Sequence, residues 1–346
     1  MKKRASVSQQ RIARELGVSQ ALVSLVLNGK RENISEDSYQ RIWNHALKVG
    51  YRPKGMQLSG DRAMATNVGF VLRAGVRLYT QSNYFSHIQH GLHFALLERG
   101  YNTFFFGSED DLRIKDLQSK LKNHHLLGLV ILGEVEERFL RSIIAVQKNV
   151  VSVSATYPGL CNSVMPNEAQ AIQHLVGHLT SLGHQKFAWI GGNKTLHHNV
   201  RRRVALVDTL KQHGLKLGEQ FMAEMTEGDR LDGLKAAEVL LQRMTPKNFP
   251  TAWVCLNGLM ARGVINCLMQ NGWRVPEQIS VVAVDATRVC VEERPEITGA
   301  HSDPEKMGIT AAELLVKSVN SQDGILSDVI LPSQLTIRET SAKPSA

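Results

Sequence analysis

The sequence predicts an all-α helix-turn-helix head followed by an α/β core of two doubly wound parallel-sheet lobes. Three observations predict it. Residues 8–28 read as two short amphipathic helices around a glycine. From Val68 onward, apolar strand-like runs alternate with helical periods, the pattern of parallel sheets covered by helices on both faces. That alternation runs through two series in succession, which implies two similar lobes with a cleft between them. At 346 residues the chain exceeds what one core usually serves, so two or three folding units are expected.

Ser8 opens the first helix, and Ile12, Ala13 and Leu16 at i, i+1, i+4 give it one apolar stripe. Gly17 stands where a tight turn needs positive φ, and Val18 can plug the angle between the helices. Ser19 caps the second helix, which buries Leu22, Val23, Val26 and Leu27 and leaves Gln20, Ala21, Ser24, Leu25 and Asn28 outward. After a polar turn at 28–33, Ser35 caps a third helix. Glu36 and Asp37 suit its positive end, and Tyr39, Ile42, Ala46 and Val49 form its buried stripe. Gly50 ends it. The head therefore spans 1–52, and residues 53–66, with Gly55 and Gly60, read as a hinge or linker before a core of 67–346.

In the first core series, 68–72 reads as a buried strand, 87–99 as a helix and 103–106 as a strand. A helix at 112–124, a strand at 127–132, a helix at 136–146 and a strand at 150–153 complete it. The second series has helices at 168–182, 202–213, 231–243, 260–271 and 304–319. Its strands fall at 187–190, near Met222, at 252–255 and at 279–283.

Charge divides along the same boundary. The formal net charge is +9, and residues 1–62 alone hold 12 Lys/Arg against 5 Asp/Glu. A small basic module joined to a nearly neutral body is the electrostatic footprint of a nucleic-acid reader. The second helix of such a head can lie in a DNA major groove. An ordinary helical hairpin is the plain alternative for the motif alone. A membrane-surface helix is disfavoured because Glu15, Glu32, Glu36 and Asp37 interrupt the basic face.

No secretory leader or membrane-spanning run is read, and the expected compartment is the cytoplasm. Cys161, Cys255, Cys267 and Cys290 lack ligand spacing and read as reduced, buried thiols. No catalytic, cofactor or metal site is expected. Residues 191–195, Gly-Gly-Asn-Lys-Thr, lack the full spacing of a phosphate loop, and no Gly-x-Ser-x-Gly elbow occurs. The adjacent pairs His124-His125 and His197-His198 face apart, poorly placed for chelation. A sugar-processing enzyme or a solute-binding protein of similar α/β architecture remains as the alternative to a DNA reader.

Short motifs at the spacing of one known family are distributed along the whole chain. The head carries Ile12-Ala13, Gly17-Val18-Ser19, Val23-Ser24, Val26-Leu27-Asn28, Ile34-Ser35 and Gly50-Tyr51-Arg52-Pro53. The core carries Val68-Gly69, Asn83-Tyr84-Phe85, Gly100-Tyr101, Leu182-Gly183-His184 and Gly191-Gly192. Further on come Asn257, Gly272, Val275-Pro276, Ile279-Ser280-Val281-Val282, Asp285, and Gly308 beside Ala311-Ala312. In these residues the chain resembles the LacI/GalR family of transcriptional regulators. The resemblance implies a homodimer with a hinge helix that orders on DNA. It also implies a periplasmic-binding-protein-like type I core that takes a small effector between its lobes. Lobe 1 would then comprise 67–165 with 304–331, and lobe 2 would comprise 166–303 with 332–342.

Residue roles follow from the resemblance. Gln20, Ala21 and Leu25 fall at the base-reading positions; Gln20 suits adenine, while Ala21 and Leu25 offer only apolar contacts. Leu25 stands where many members have arginine, which predicts a different operator. Ser8, Arg11, Ser19, Ser24, Asn28, Lys30 and Arg31 are candidates for phosphate contacts. In the hinge, Lys54, Gln57 and Leu58 depart from the family pattern, and Gly60 falls on its minor-groove leucine. Leu58 is the nearest wedge, and Gly55 and Gly60 each disfavour helix by roughly 1 kcal/mol.

In the core, Tyr84, Phe85, Arg202, Arg230, Asn257 and Asp285 form the implied effector set. Gly258 and Pro166 replace family aspartates, and Arg230 replaces a common tryptophan. These changes predict an electropositive pocket that takes an anionic effector, a sugar acid or sugar phosphate held by Arg202 and Arg230. The expected whole is a sequence-specific repressor of double-stranded, pseudo-palindromic operator DNA, controlled by a carbohydrate or carbohydrate derivative.

Overall fold

The computed structural model describes residues 8–27, 34–35, 38–39, 41–42, 45–46, 67–75, 84–123, 126–245, 248–285, 287–320 and 324–345. The chain divides into two compact units, 1–64 and 65–346.

In the first unit, α1 (Gln9–Leu16) and α2 (Gln20–Leu27) follow from local chemistry. The Ser8 hydroxyl oxygen accepts the Arg11 N–H at 3.2 Å, and that of Ser19 accepts the Leu22 N–H at 3.1 Å. Each satisfies one of the donors a helix start leaves free. Between the helices Gly17 adopts φ +67° and returns its N–H to the Ala13 carbonyl. Residues 38–39, 41–42 and 45–46 are helical, with Ser35 accepting from Ser38 and Tyr39 at their start. Ile12, Ala13, Val23, Val26, Tyr39, Ile42 and Ala46 make a small core, with Leu16, Val18, Leu22 and Leu27 half-buried around it. Arg41 donates to the Leu16 carbonyl at 3.1 Å, and His45 meets Glu15 at 2.8 Å. The expectations for 28–33, Val49, Gly50 and 51–66 lie outside the described residues.

The second unit holds two six-stranded sheets. The first is built from β1 (Asn67–Leu72), β2 (Asn102–Ser108), β3 (Leu126–Leu132), β4 (Val150–Val153), β5 (Asn162–Pro166) and β11 (Asp328–Leu331). Its order is β11-β5-β4-β3-β1-β2, every pair parallel. Its helices are α3 (Tyr84–Glu98), α4 (Ile114–Asn123), α5 (Glu137–Ile144) and α10 (Pro304–Asn320). The second sheet contains β6 (Phe187–Gly191), β7 (Met222–Glu224), β8 (Ala252–Cys255), β9 (Ser280–Ala283), β10 (Thr298–His301) and β12 (Gln334–Thr336). Its order is β12-β10-β9-β8-β6-β7, with only β10 and β12 antiparallel. It is covered by α6 (Glu168–Ser181), α7 (His197–Gln212), α8 (Arg230–Arg243) and α9 (Gly258–Gln270). The apolar runs of the central strands are buried on both faces, as parallel sheets require. All four cysteines are free and buried.

Four strands escape the sequence reading: β5, β10, β11 and β12. They are three to five residues long and mix polar side chains into positions that an apolar pattern would claim. Ser163 of β5 is fully buried because its hydroxyl donates to Asp328 of β11. The helix starts that differ most from expectation are those of α3 at Tyr84 and α7 at His197, both earlier. The leading turn of α7 has no apolar stripe, and Leu196 at its N-cap makes no side-chain bond. Its first N–H, from His197, is instead satisfied at 3.0 Å by Glu134, which follows β3 in the other lobe.

The chain passes between the sheets after β5, after β10 and between β11 and β12. Ser302 ties the three passages together. It accepts the Asn167 N–H at 3.1 Å and donates to the Leu331 carbonyl at 2.8 Å, while Asn167 N–H also reaches that carbonyl at 3.0 Å.

Candidate functional site

The cleft between the two sheets lies at the carboxyl ends of their strands, where open α/β sheets bind ligands. It encloses a cavity of about 140 Å³. Lobe 1 contributes Arg73, Tyr84, Phe85, Glu134 and Ser154, and lobe 2 contributes Glu168, His198, Arg202, Asn257, Asp285 and Thr287.

On the first wall, the first turn of α3 presents Tyr84 and Phe85, whose rings meet edge to face at 5.3 Å. The Tyr84 hydroxyl lies 2.8 Å from the Ser154 hydroxyl. Ser154 follows β4 at φ +66°, a left-handed conformation uncommon outside glycine that marks sites under functional constraint. Burial pushes the Tyr84 phenol up to about 12. Burial also lowers Arg73, against the pull of Glu134, Glu227 and Glu109.

The second wall is locked by hydrogen bonds. Arg202, in the second turn of α7, sends Nε at 2.9 Å and Nη2 at 2.8 Å to one oxygen of Glu168, the first residue of α6. Its Nη1 donates to the Leu256 carbonyl at 2.6 Å. Asp285 accepts from the N–H of Gly258 at 3.1 Å and of Thr287 at 2.6 Å, closing the start of α9. Asn257 caps the same helix through Met260 N–H at 2.8 Å and donates to the Gly228 carbonyl at 2.8 Å. Enclosure in the cleft, with Arg202, Arg73 and Arg201 around it, pushes the His198 imidazole down to about 3. Across the opening, Glu134 also pairs with His197 Nδ1 at 2.7 Å, and Arg201 donates to Thr156 at 3.0 Å.

Of the six effector residues implied by the resemblance, the structure brings Tyr84, Phe85, Arg202, Asn257 and Asp285 to this cavity and leaves Arg230 out. Arg230 begins α8 and pairs with Glu293. The same loop occupies Arg262 of α9, which is 1 % exposed and donates to the Glu293 and Pro295 carbonyls at 2.9 and 3.1 Å. Glu293 lies 63 residues from Arg230, so the sequence offers no sign of the capture.

The expected electropositive pocket is likewise corrected. Among the described lining residues, five carboxylates (Glu134, Glu168, Glu227, Asp229 and Asp285) face two guanidiniums, Arg73 and Arg202. Sequence reasoning missed Glu168. An acid in the first turn of a helix ordinarily complements the helix dipole, and nothing local announces Arg202 as its partner. Ser154, His198 and Thr287 were missed for the same reason: tertiary placement alone makes them lining residues.

In the head, α2 exposes Gln20, Ala21 and Leu25 together, while Ser24 is half-buried. Ser8 and Ser19 use their oxygens as caps, which leaves each O–H able to donate to an anion. Arg11 pairs with Glu15 at 2.7 Å and stays half-exposed. Asn28, Lys30, Arg31 and Leu58 lie outside the described residues. Among the described residues no group of three or more His, Cys, Asp or Glu could hold a metal ion. Nor is any helix among them long and apolar enough to cross a membrane.

A two-lobed ligand-binding core joined in one chain to a helix-turn-helix head defines an effector-gated transcriptional regulator. Comparison with known proteins agrees at both levels. The model of a periplasmic binding protein-like domain matches residues 176–341. Catabolite control protein A of Staphylococcus xylosus is 27 % identical over 333 residues, covering 95 % of this chain and 97 % of that protein. Among solved structures, the transcriptional regulator CelR in complex with cellobiose aligns with a TM-score of 0.69 at 23 % identity, covering 96 % of this chain and 99 % of that one. The lac repressor dimer bound to operator and the anti-inducer ONPF aligns with a TM-score of 0.69 at 20 % identity, covering 98 % and 100 %. These likenesses support a DNA-binding transcriptional regulator of the LacI/GalR kind rather than an enzyme.

Proposed function

We propose that the protein acts in the cytoplasm as a homodimeric repressor of a pseudo-palindromic operator, gated by a carbohydrate bound in the interlobe cleft. The cleft carries this reading. One wall sets two aromatic rings against the cavity, suited to the apolar face of a sugar ring, and the other supplies Arg202, Asn257 and Asp285 for its hydroxyls. A solved structure of the same fold holds cellobiose.

At the DNA, Gln20 would pair with adenine N6/N7, and Ala21 and Leu25 would meet thymine methyls. Ser8, Arg11, Ser19, Ser24, Asn28, Lys30 and Arg31 would serve the phosphates, with Leu58 as a hinge wedge. The exposed trio on α2 supports this assignment.

Fluorescence anisotropy on the protein's own promoter fragment tests both halves. Binding is expected to weaken steeply with salt and to shift when a carbohydrate is added. Gln20→Ala is expected to relax discrimination at one base pair by about 1–3 kcal/mol. Salt-insensitive binding, or affinity unmoved by any member of a broad carbohydrate panel, would sink the reading.

A further inference from the structure

We infer that Glu168 is the specificity-determining residue of the cleft: its unshared oxygen receives a hydroxyl donated by the ligand, so the site selects uncharged polyols over sugar acids and sugar phosphates. The inference rests on the carbohydrate reading above and narrows its ligand class.

The asymmetry of one ion pair carries it. Both Arg202 donors, Nε at 2.9 Å and Nη2 at 2.8 Å, converge on Oε1. Oε2 is buried and has no hydrogen-bond partner, on a side chain only 7 % exposed. A buried carboxylate oxygen without a donor is costly, and the cavity that Glu168 lines is where a donor can arrive. The Thr287 hydroxyl, also buried and unpartnered, lines the same cavity. The site therefore offers two orphaned oxygens to a ligand rich in O–H groups.

An anion meets the opposite situation. Arg202 has Nε committed to Glu168, Nη1 committed to Leu256, and Nη2 shared with Glu168. Its fork cannot grip a carboxylate or phosphate in two-point fashion without first abandoning Glu168, and the incoming charge would then face Oε2 directly. The cation first expected to assist, Arg230, is held by Glu293 away from the cavity.

The test uses the full chain and matched carbohydrate twins, measured by calorimetry or thermal shift: glucose with glucuronate and glucose 6-phosphate, galactose with galacturonate, ribose with ribose 5-phosphate, cellobiose with cellobionate. Amino sugars form a third arm. The expected result is that the bound twin is the uncharged one, at least tenfold tighter than its acid or phosphate. Glu168→Gln, which keeps shape but removes the charge, should narrow that ratio by about tenfold or invert it. Glu168→Asp should retain the wild-type preference at lower affinity.

A purely structural role for Glu168 would weaken all twins alike and leave the ratio fixed, which overturns the inference. Tighter binding of an anionic or amino twin by the wild-type chain also overturns it, with the carbohydrate reading intact. Binding of no carbohydrate of any charge overturns both. The wild-type comparison stands even if a variant fails to fold.

Discussion

The two walls of the cleft are built on opposite plans. In lobe 1, Tyr84, Phe85 and Ser154 stand on the first turn of α3 and just after β4, joined by one hydroxyl contact and one ring contact. In lobe 2, Glu168, Arg202, Asn257 and Asp285 hold α6, α7, α9 and the ends of β8 and β9 to one another. The first wall is tied to the lobe behind it by the packing of Tyr84 and Phe85 and by the Tyr84 hydroxyl's weak 3.5 Å contact with the Met307 sulfur. The second wall is tied by charged and polar hydrogen bonds, made by the same groups that line the cavity. A ligand that used these lobe 2 groups would draw on bonds that also hold the lobe together, whereas one that used lobe 1 would meet aromatic rings held mainly by packing.

The largest break expected from this contrast is Arg202→Ala. Removing the guanidinium leaves Glu168 charged and buried with neither oxygen paired, and frees the Leu256 carbonyl as well. Breaking a buried pair on one side costs about 3–5 kcal/mol. Denaturant unfolding should register that loss, together with loss of the carbohydrate response. A cost below about 1 kcal/mol, the scale of an exposed pair, would show that the second wall is not tied to the fold.

Backbone packing, by contrast, should treat the lobes equally. In lobe 1, a Cβ at Gly91 or Gly308 would lie 2.0 Å from the carbonyl oxygen of Glu305 or Ile88, so α3 and α10 cross in direct contact. In lobe 2, Gly263 and Gly233 bring α8 and α9 as close, 2.0 Å from the Arg230 oxygen and 2.1 Å from that of Met260. Gly308→Ala and Gly263→Ala are each expected to cost about 1–3 kcal/mol by forcing the helices apart. Unequal costs in melts of the two variants would place the difference between lobes in their scaffolds rather than in their walls.

Acid should separate the lobes again. Burial holds the imidazoles of His178, His184 and His198 below 6.5, and all three belong to lobe 2. Below pH 6.5 the unfolded chain takes up protons that the folded chain refuses, so their contribution to stability is complete above that pH and is lost as pH falls. For His198 the loss continues to about pH 3, at roughly 1.4 kcal/mol per pH unit once titration is under way. His198→Gln should flatten the fall in Tm between pH 7 and 5. A variant with an unchanged slope would remove His198 from the account.

What the sequence made legible follows the same division. The head could be read in full where it is described, because Ser8, Gly17 and Ser19 act on neighbours three or four residues away. The central strands were equally plain from their apolar runs. β5 and β10 were hidden because their burial depends on polar partners such as Asp328 and Thr340, distant in sequence, and β11 and β12 because they are short, mostly exposed edge strands. In the site, Arg202, Asn257 and Asp285 were found only through the resemblance of the whole chain to a known family; taken alone, Arg202 reads as one of a solvated arginine run and Asp285 as a loop cap. Glu168 and Glu293 were not, because each acquires its meaning only when two helices or a helix and a loop meet. Arg230 was assigned by spacing to a wall that it does not reach.

The finest test of the contrast is Tyr84→Phe. The substitution removes one hydroxyl from the first wall and leaves the ring against Phe85 and the packing on the lobe intact. The Ser154 hydroxyl loses its 2.8 Å partner, a loss of about 0.5–1.5 kcal/mol for a typical hydrogen bond. Because Ser154 keeps its left-handed backbone through the N–H bond to the Val164 carbonyl at 2.9 Å, the turn should hold its shape. Carbohydrate affinity should change by up to about tenfold, the equivalent of 1.4 kcal/mol, with Tm nearly constant. If Tm falls as far as in Arg202→Ala, then the first wall is as much a part of the fold as the second, and the two are not built on different plans.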